Sequence, residues 1–492
     1  ALRSATRPCS MAAPGAAAGA SGAAGAKGPQ PPSLEEASTA TNGTREPGRA
    51  VSMESLSTGS PAAPPTVFAR SVGPMTVNGL RHSTLTLTTT ALGGGVLSIS
   101  YVMRTAGLGL GMAMIVIAAW LAYNSTKVLM RMAGETGQHT YAGLFSHCAG
   151  RYAGPVLDAM LFFYGSGACV GYLVFLGDLT PPLLDLVMPG APAWIRGREF
   201  VIIVAAIIIT PLSVQRDISC LRYMAPVSIV SLMYMAITAA VKMPSLYQEH
   251  AGESKYGQVR WVVPGVHVCE AFALCVFAFN CHLNVVPVAG HLVRPTRARI
   301  SKVSERVNLL QMCFYSLIGV TGYLSFLADT PQDLVKAYAQ DDPAVVVGRA
   351  MLTATMLVAI PINLNPTIRS ALQIRRVLGS GEALLQEGQA EGGAEDEATS
   401  SASPAADADV VGSRLRVPLT CVCVLVQVLL AINVPGVADI LGLLGATVAT
   451  AMMMAIPAYC MSVTMPMTPK HRLQQVMLYV FSLVSVASVP VK

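Results

Sequence analysis

Three consecutive glycines, Gly93–Gly95, interrupt the first long apolar segment of the chain. They cost about 2–3 kcal/mol of helix propensity relative to alanine, and they leave backbone N–H and C=O groups free of side chains. The run therefore predicts a broken helix whose backbone holds a small polar ligand. Close helix packing is the alternative reading, but packing motifs space their small residues four apart. Gly107/Gly111 and Gly167/Gly171 have that spacing and are interpreted as packing glycines.

A second apolar segment carries polar residues at every other position, Asn280, His282 and Asn284. A period of two does not fit one face of a helix. Pro287 also removes the helical partner of the Leu283 carbonyl. These features predict a second, locally unwound segment. The alternative is a kinked helix whose polar groups bond to its neighbours.

Two half-helices that meet at a break present partial charges, positive at N-termini and negative at C-termini. A small zwitterion suits such a pair, because N–H groups take its carboxylate and free carbonyls take its ammonium group. Glu270 lies ten residues before Asn280, inside the same apolar segment. A carboxylate at such a place is a functional candidate, although near the end of a span it could equally be solvated.

The composition of the chain indicates which class of protein contains these breaks. The chain has 492 residues, of which 53% are hydrophobic and 12% charged, and its mean hydropathy is +0.53. Soluble chains carry about 25% charged residues, so an ordinary soluble enzyme and a disordered protein are both excluded. The net charge of +6 is not clustered as on a nucleic-acid surface. The sequence has no zinc-ligand spacing and no catalytic motif, so we expect no metal, no cofactor, no nucleic-acid partner and no enzymatic activity.

Long apolar segments predict an all-α polytopic membrane protein. A span needs about 20 mostly apolar residues. Eleven segments qualify: 83–103, 106–130, 153–187, 199–215, 221–242, 263–290, 306–328, 344–368, 415–434, 436–461 and 474–490. The breaks fall in spans one and six, which predicts a five-plus-five inverted repeat whose first helices are both discontinuous.

The distribution of charged residues predicts how the chain is oriented in the membrane. Five basic residues follow span six within thirteen positions, whereas the segment after span seven is acidic. Basic loops mark the cytoplasmic side, so we expect a cytoplasmic N-terminus. Residues 1–70 are rich in Ala, Gly, Pro and Ser and are interpreted as a disordered tail before a membrane domain at 80–490. The acidic segment 378–413 is interpreted as a flexible cytoplasmic loop.

Four stretches resemble the amino acid/auxin permease family of the amino acid–polyamine–organocation superfamily, most closely the kinetoplastid amino acid permeases. They are ALGGGVLSISYVMRTAG, FAFNCHLNVVPV followed by RPT, INLNPTIRSAL and VPGVADILGLLGATVATAMMMAIPA. The resemblance covers about residues 80–490. It implies eleven helices in the leucine-transporter fold, an amino acid as substrate, and a proton or sodium ion as coupling ion.

Under this resemblance, Gly93–Gly95 match the family's unwound first helix and Phe279–His282 its broken sixth. Thr89 stands where sodium-coupled animal relatives have Asn, which favours protons over sodium. Residues with hydroxyl groups or aromatic rings in other spans complete the set of candidate site residues. The candidate substrate-binding residues are Gly93, Gly94, Gly95, Thr90, Ser98, Tyr172, Phe279, Asn280, Cys281 and Thr355, and the candidate ion-coupling residues are Thr89, Glu270 and His282.

The resulting hypothesis is a secondary active amino acid transporter that works by alternating access in the lipid bilayer. We expect proton coupling, neutral or broad specificity, and a plasma-membrane location, with the vacuolar membrane as the alternative. Two rival functions stay open. One is an amino acid sensor that signals through its cytoplasmic segments, and the other is a polyamine transporter on the same fold.

Overall fold

A computed structural model describes residues 78–215, 225–390, 404–466 and 468–488. The regular structure of these residues is entirely helical, as predicted. The proposed disordered tail at 1–70 lies outside them. Within the proposed acidic loop, helix continues to Ala390 and resumes at Pro404, and residues 391–403 lie outside the described part.

Fifteen helices follow one another along the described residues. They are α1 Leu80–Ala91, α2 Ile99–Ala106, α3 Leu108–Thr136, α4 Tyr141–Ala149, α5 Ala153–Val187, α6 Arg198–Val214, α7 Ala225–His250, α8 His267–Ala278, α9 His282–His291, α10 Arg297–Phe326, α11 Pro343–Ala390, α12 Pro404–Asn433, α13 Val437–Leu444, α14 Ile456–Thr464 and α15 Pro469–Val486. Two π-helical turns at 445–449 and 451–455 join α13 to α14. Threonine side chains cap the starts of three helices, at Thr140, Thr296 and Thr468.

Most predicted spans are long apolar helices. Within the described residues, eight helices are long and apolar enough to cross a membrane, or nine if the bent α1–α2 pair counts as one span. The predicted number of eleven is not confirmed, because two predicted spans do not qualify. Helix α6 has only 17 residues, and α15 begins with the charged residues Lys470 and Arg472. The five-plus-five repeat stays a prediction.

Glycines set the distances between neighbouring helices. Helices α5 and α11 pack along much of their length, and at Gly165 an added Cβ would collide with Thr367. An added Cβ on Gly167 would lie 2.7 Å from Leu444, and one on Gly171 would lie 3.1 Å from Leu441. The prediction of packing glycines at 167 and 171 is therefore confirmed.

The surface of the bundle is apolar where lipid would cover it. Large hydrophobic side chains such as Phe163, Ile207, Val241, Leu429 and Leu483 are 54–72% exposed on five different helices. Water would disfavour so much exposed apolar surface, whereas lipid accepts it. The chain is therefore an integral multi-pass membrane protein.

Candidate substrate site

The first predicted break is present between α1 and α2. Helix α1 ends at Ala91, and the chain continues as a 3₁₀ turn, Gly94–Ser98, before α2. The Gly93 N–H donates to the Ala91 carbonyl at 2.8 Å instead of to a residue one α-helical turn earlier. The axes of the two half-helices differ by 57°. This confirms that the first span is discontinuous at its glycines.

Aromatic rings explain why these positions are glycines. An added Cβ on Gly93 would lie 2.6 Å from the Tyr172 hydroxyl oxygen, and one on Gly94 would lie 2.7 Å from the Phe175 ring. The glycine run therefore lets α5 approach the broken backbone closely.

The second predicted break separates α8 from α9. Helix α8 ends at Ala278 and α9 begins at His282. The Asn280 N–H donates to the Phe277 carbonyl at 3.1 Å, a tighter turn than an α-helix makes. Unlike the first break, this one does not bend the span strongly. Residues 267–291 still form one helical segment that is long and apolar enough to cross a membrane.

One tyrosine hydroxyl joins the two breaks. Tyr315 on α10 is fully buried, and its hydroxyl donates to the Ala91 carbonyl at 3.0 Å and to the Ala278 carbonyl at 2.6 Å. These carbonyls belong to the last residues of α1 and α8, where the regular helical hydrogen bonds end, and the Ala91 carbonyl also accepts from the Gly93 N–H. A second link runs from the Asn284 amide to the Thr90 hydroxyl at 3.0 Å.

A buried chain of hydrogen bonds orients the Asn280 amide. Its Oδ1 accepts from the His282 backbone N–H at 3.1 Å and lies 3.1 Å from the His282 Nδ1. Because Oδ1 only accepts, Nδ1 carries the hydrogen, and a neutral ring then accepts at Nε2 from the Ser125 hydroxyl at 2.5 Å. The Asn280 Nδ2 is thereby turned away from His282. It meets no acceptor with hydrogen-bonding geometry among the described residues, and the Tyr164 side chain lies beside it.

The two breaks line one cavity of about 900 Å³, which is large enough for a small-molecule ligand. Helices α5, α7 and α11 supply the facing walls. Of the predicted site residues, the cavity brings together Thr89, Thr90, Gly93, Gly94, Gly95, Tyr172, Asn280 and Thr355. Their roles as ligands stay predictions.

The remaining candidates lie away from the cavity. Ser98, Phe279, Cys281 and His282 are all at most 1% exposed and do not line it. Phe279 packs edge-on against the Tyr315 ring, with centroids 4.8 Å apart, so it supports the break from behind. Glu270 stands at the start of α8, 3.6 Å from His267, and does not reach the lining either.

Charge is unevenly distributed along the cavity. The lining residues of the two broken spans are uncharged. Charged lining residues lie toward the end of the molecule that holds α4, where Arg151, Arg369 and Arg376 are exposed. The cavity therefore opens at this end, called here the mouth. Asp158 on α5 also lines it and was not singled out from the sequence.

The opposite end is closed by the segment 327–342. Its Lys336 lies 2.8 Å from Asp178 on α5, and Arg198 lies 3.8 Å from the same carboxylate, which is only 4% exposed. The 3₁₀ turn 334–337 packs on the 3₁₀ turn of the first break. Nearby, burial and the charge of Asp178 raise the pKa of Asp333 to about 7.

Known proteins share this sequence pattern. The family of transmembrane amino acid transporter proteins matches residues 77–491. A Toxoplasma gondii protein with the provisional name amino acid transporter AAT1 is 31% identical over 63% of this chain and 42% of its own length. The Xenopus laevis sodium-coupled neutral amino acid transporter 7 is 26% identical over 55% of this chain and 61% of its own. The vacuolar amino acid transporter 5 of Schizosaccharomyces pombe is 26% identical over 61% and 70%.

The matched part of the chain spans less than half of the Toxoplasma relative. The likeness to kinetoplastid permeases in particular stays a prediction. The family is one of transporters, not of enzymes, and its model covers the membrane domain from the first helix almost to the last residue. The chain belongs to the transmembrane amino acid transporter protein family.

Proposed function

We propose that the chain is a secondary active transporter that moves amino acids across a membrane by alternating access, coupled to protons. The observation that carries the proposal is the pair of helix breaks that line one cavity, open at the mouth and closed at the other end by the Asp178 ion pairs. Such a cavity gives a substrate access from one side at a time.

The uncharged walls at the breaks suit a neutral amino acid. Its carboxylate and ammonium groups are matched by backbone dipoles and by the Asn280 amide, so no ionised side chain is needed there. Phe175, Leu232, Phe277 and Met356 line the same space and offer apolar surface to a substrate side chain. The Xenopus relative is named a neutral amino acid transporter, which supports this choice.

Proton coupling is favoured over sodium at the first break. A single hydroxyl in place of an amide makes a weaker sodium ligand, and Thr89 offers only its hydroxyl oxygen at this position. One charge moving down 100 mV releases about 2.3 kcal/mol, enough for roughly fifty-fold accumulation.

With the N-terminus in the cytoplasm, the mouth faces the cytoplasm and segment 327–342 faces outward. We propose the plasma membrane as the location. The vacuolar membrane is the alternative because the yeast relative is named vacuolar.

Uptake into proteoliposomes tests the proposal. Purified protein is reconstituted, and radiolabelled amino acids and polyamines are offered with an imposed pH gradient, a sodium gradient, or neither. We expect saturable uptake of neutral amino acids that follows the pH gradient. Uptake driven only by sodium would overturn proton coupling, and no saturable uptake of any amino acid would overturn the function.

A glycine pair tests the site in the same assay. Gly94→Val places atoms against Phe175, where even a Cβ would lie at 2.7 Å, and we expect transport to be abolished. Gly134→Ala on α3 is the matched control, because its Cβ would have no neighbour within 4 Å. Normal uptake by the Gly94→Val protein would show that the first break does not hold the substrate.

A further inference from the structure

The cavity contains an acidic side chain that the proposed substrate site does not use. Asp158 lies on α5, five residues after the helix begins, and it is only 8% exposed. It is the one carboxylate among the residues that line the cavity in the described part of the chain. Ionisable residues inside membrane helices are costly, and they commonly mark ion pathways where they face a cavity.

The partners of Asp158 do not neutralise its charge. The Ser370 hydroxyl on α11 lies beside the carboxylate and can supply a hydrogen to it. Within the described residues no basic side chain lies close enough to form an ion pair with it. Other titratable or charged residues that line the cavity near the mouth lie on α4, in the turn before α5 and on α11: Tyr141, Arg151, Arg369 and Arg376. On α12, Arg416 does not line the cavity. Tyr141 donates to the Met452 carbonyl, and Arg416 binds the Val214 and Gln215 carbonyls.

We propose that Asp158 is the carboxylate that binds the coupling proton, an inference that rests on the proposed function. At the open mouth, water in the cavity exchanges protons with the carboxylate. Closing the mouth would strip that water away, and an ionised, unpaired carboxylate resists such burial, whereas a protonated one does not. The protein therefore closes around substrate only with a proton on Asp158, and this requirement links substrate movement to proton movement.

Two other ligands fit Asp158 less well. A sodium ion needs a shell of several oxygen ligands, and among the described residues Ser370 supplies the one side-chain oxygen that the structure pairs with Asp158. The charged end of a cationic substrate is disfavoured by distance, because Asp158 and Tyr172 are separated by fourteen residues, or about 21 Å along α5. A proton needs neither a full ligand shell nor contact with the substrate.

The test compares driven accumulation with exchange in proteoliposomes. Asp158→Asn, Asp158→Glu and Ser370→Ala are compared with the wild type, and Asp185→Asn is the matched control. Asp185 is an acidic residue at the other end of α5, with a side chain 45% exposed and paired with Arg196. Accumulation is measured in a pH gradient of about two units, counterflow is measured without a gradient, and a trapped pH dye reports proton entry.

We expect the wild type to reach at most about 100-fold accumulation, because one coupled proton gives tenfold per pH unit. Asp158→Asn should fall to about onefold and lose substrate-induced proton entry while it retains counterflow. Asp158→Glu and Ser370→Ala should both stay coupled, because each keeps the carboxylate in the cavity. Asp185→Asn should match the wild type.

Three results would overturn the proposal. Full accumulation and proton entry in Asp158→Asn would show that the proton binds elsewhere. If Asp158→Asn lost both counterflow and accumulation, Asp158 would belong to the substrate site or to the scaffold. A loss confined to cationic amino acids would assign it to substrate side chains. Failure of the wild type to take up any substrate would instead refute the proposed function, so the two failures can be told apart.

Discussion

Replacing Tyr315 by phenylalanine tests whether the two breaks work as one unit. The substitution keeps the ring and its edge-on contact with Phe279 but removes the hydroxyl that donates to the Ala91 and Ala278 carbonyls at 3.0 and 2.6 Å. Each bond contributes about 0.5–1.5 kcal/mol, so the pair contributes roughly 1–3 kcal/mol. One hydrogen is shared between two acceptors, which favours the lower half of that range.

The lost free energy would destabilise the arrangement of the two breaks that is proposed to bind substrate. At about 1.4 kcal/mol per tenfold, we expect the KM for uptake to rise by roughly 5-fold and by at most roughly 150-fold. Thermal unfolding in detergent should show a lower midpoint as well. The assay is initial uptake rate against substrate concentration for Tyr315→Phe and for the wild type.

Tyr323→Phe is the matched control, because it removes a buried hydroxyl from the same helix far from the breaks. That hydroxyl accepts from the Arg260 N–H at 3.0 Å. We expect a similar loss of stability with an unchanged KM. An unchanged KM in Tyr315→Phe, or an equal rise in both variants, would refute the idea that the hydroxyl couples the breaks.

Two further substitutions probe the surroundings of the site. Ser125→Ala leaves the buried Nε2 of His282 without its donor at a cost of about 1–3 kcal/mol, so the KM should rise while the maximal rate holds, and Ser125→Thr should restore it. Asp333→Asn tests the closed end. Its pKa of about 7 lies above the unfolded value of about 3.9, so the wild type should lose stability as pH rises from about 4 to 7. The variant should unfold at nearly the same temperature at pH 5 and pH 8, and a slope as steep as that of the wild type would contradict the assignment.

The breaks could be predicted from the sequence because their causes are local. A glycine run and a misplaced polar period conflict with helix formation whatever surrounds them. The structure also explains the polar period, since Asn280 and Asn284 line the cavity while His282 turns toward Ser125. Within the broken segment, the alternation separates a side that faces the cavity from a side that faces α3.

The supporting residues could not be predicted in this way. Tyr315 and Ser125 belong to other helices and gain their roles only when those helices pack against the breaks. The sequence shows that both Asp158 and Glu270 lie in apolar spans. It favours Glu270 as a site residue, because Glu270 belongs to a broken span. Only the packed bundle reveals that Asp158 lines the cavity and that Glu270 does not.

The tight fit of aromatic rings over the glycine triplet restricts which residues of the proposed substrate site can change. Any larger residue at Gly93 or Gly94 meets Tyr172 or Phe175 before it meets a ligand. Changes in the proposed substrate preference must therefore come from substitutions in the facing walls, where Ser228 on α7 and Met356 on α11 border the same space. In the proposed site, the broken backbone is therefore the part that substitution cannot readily alter, and the intact helices are the part that can vary.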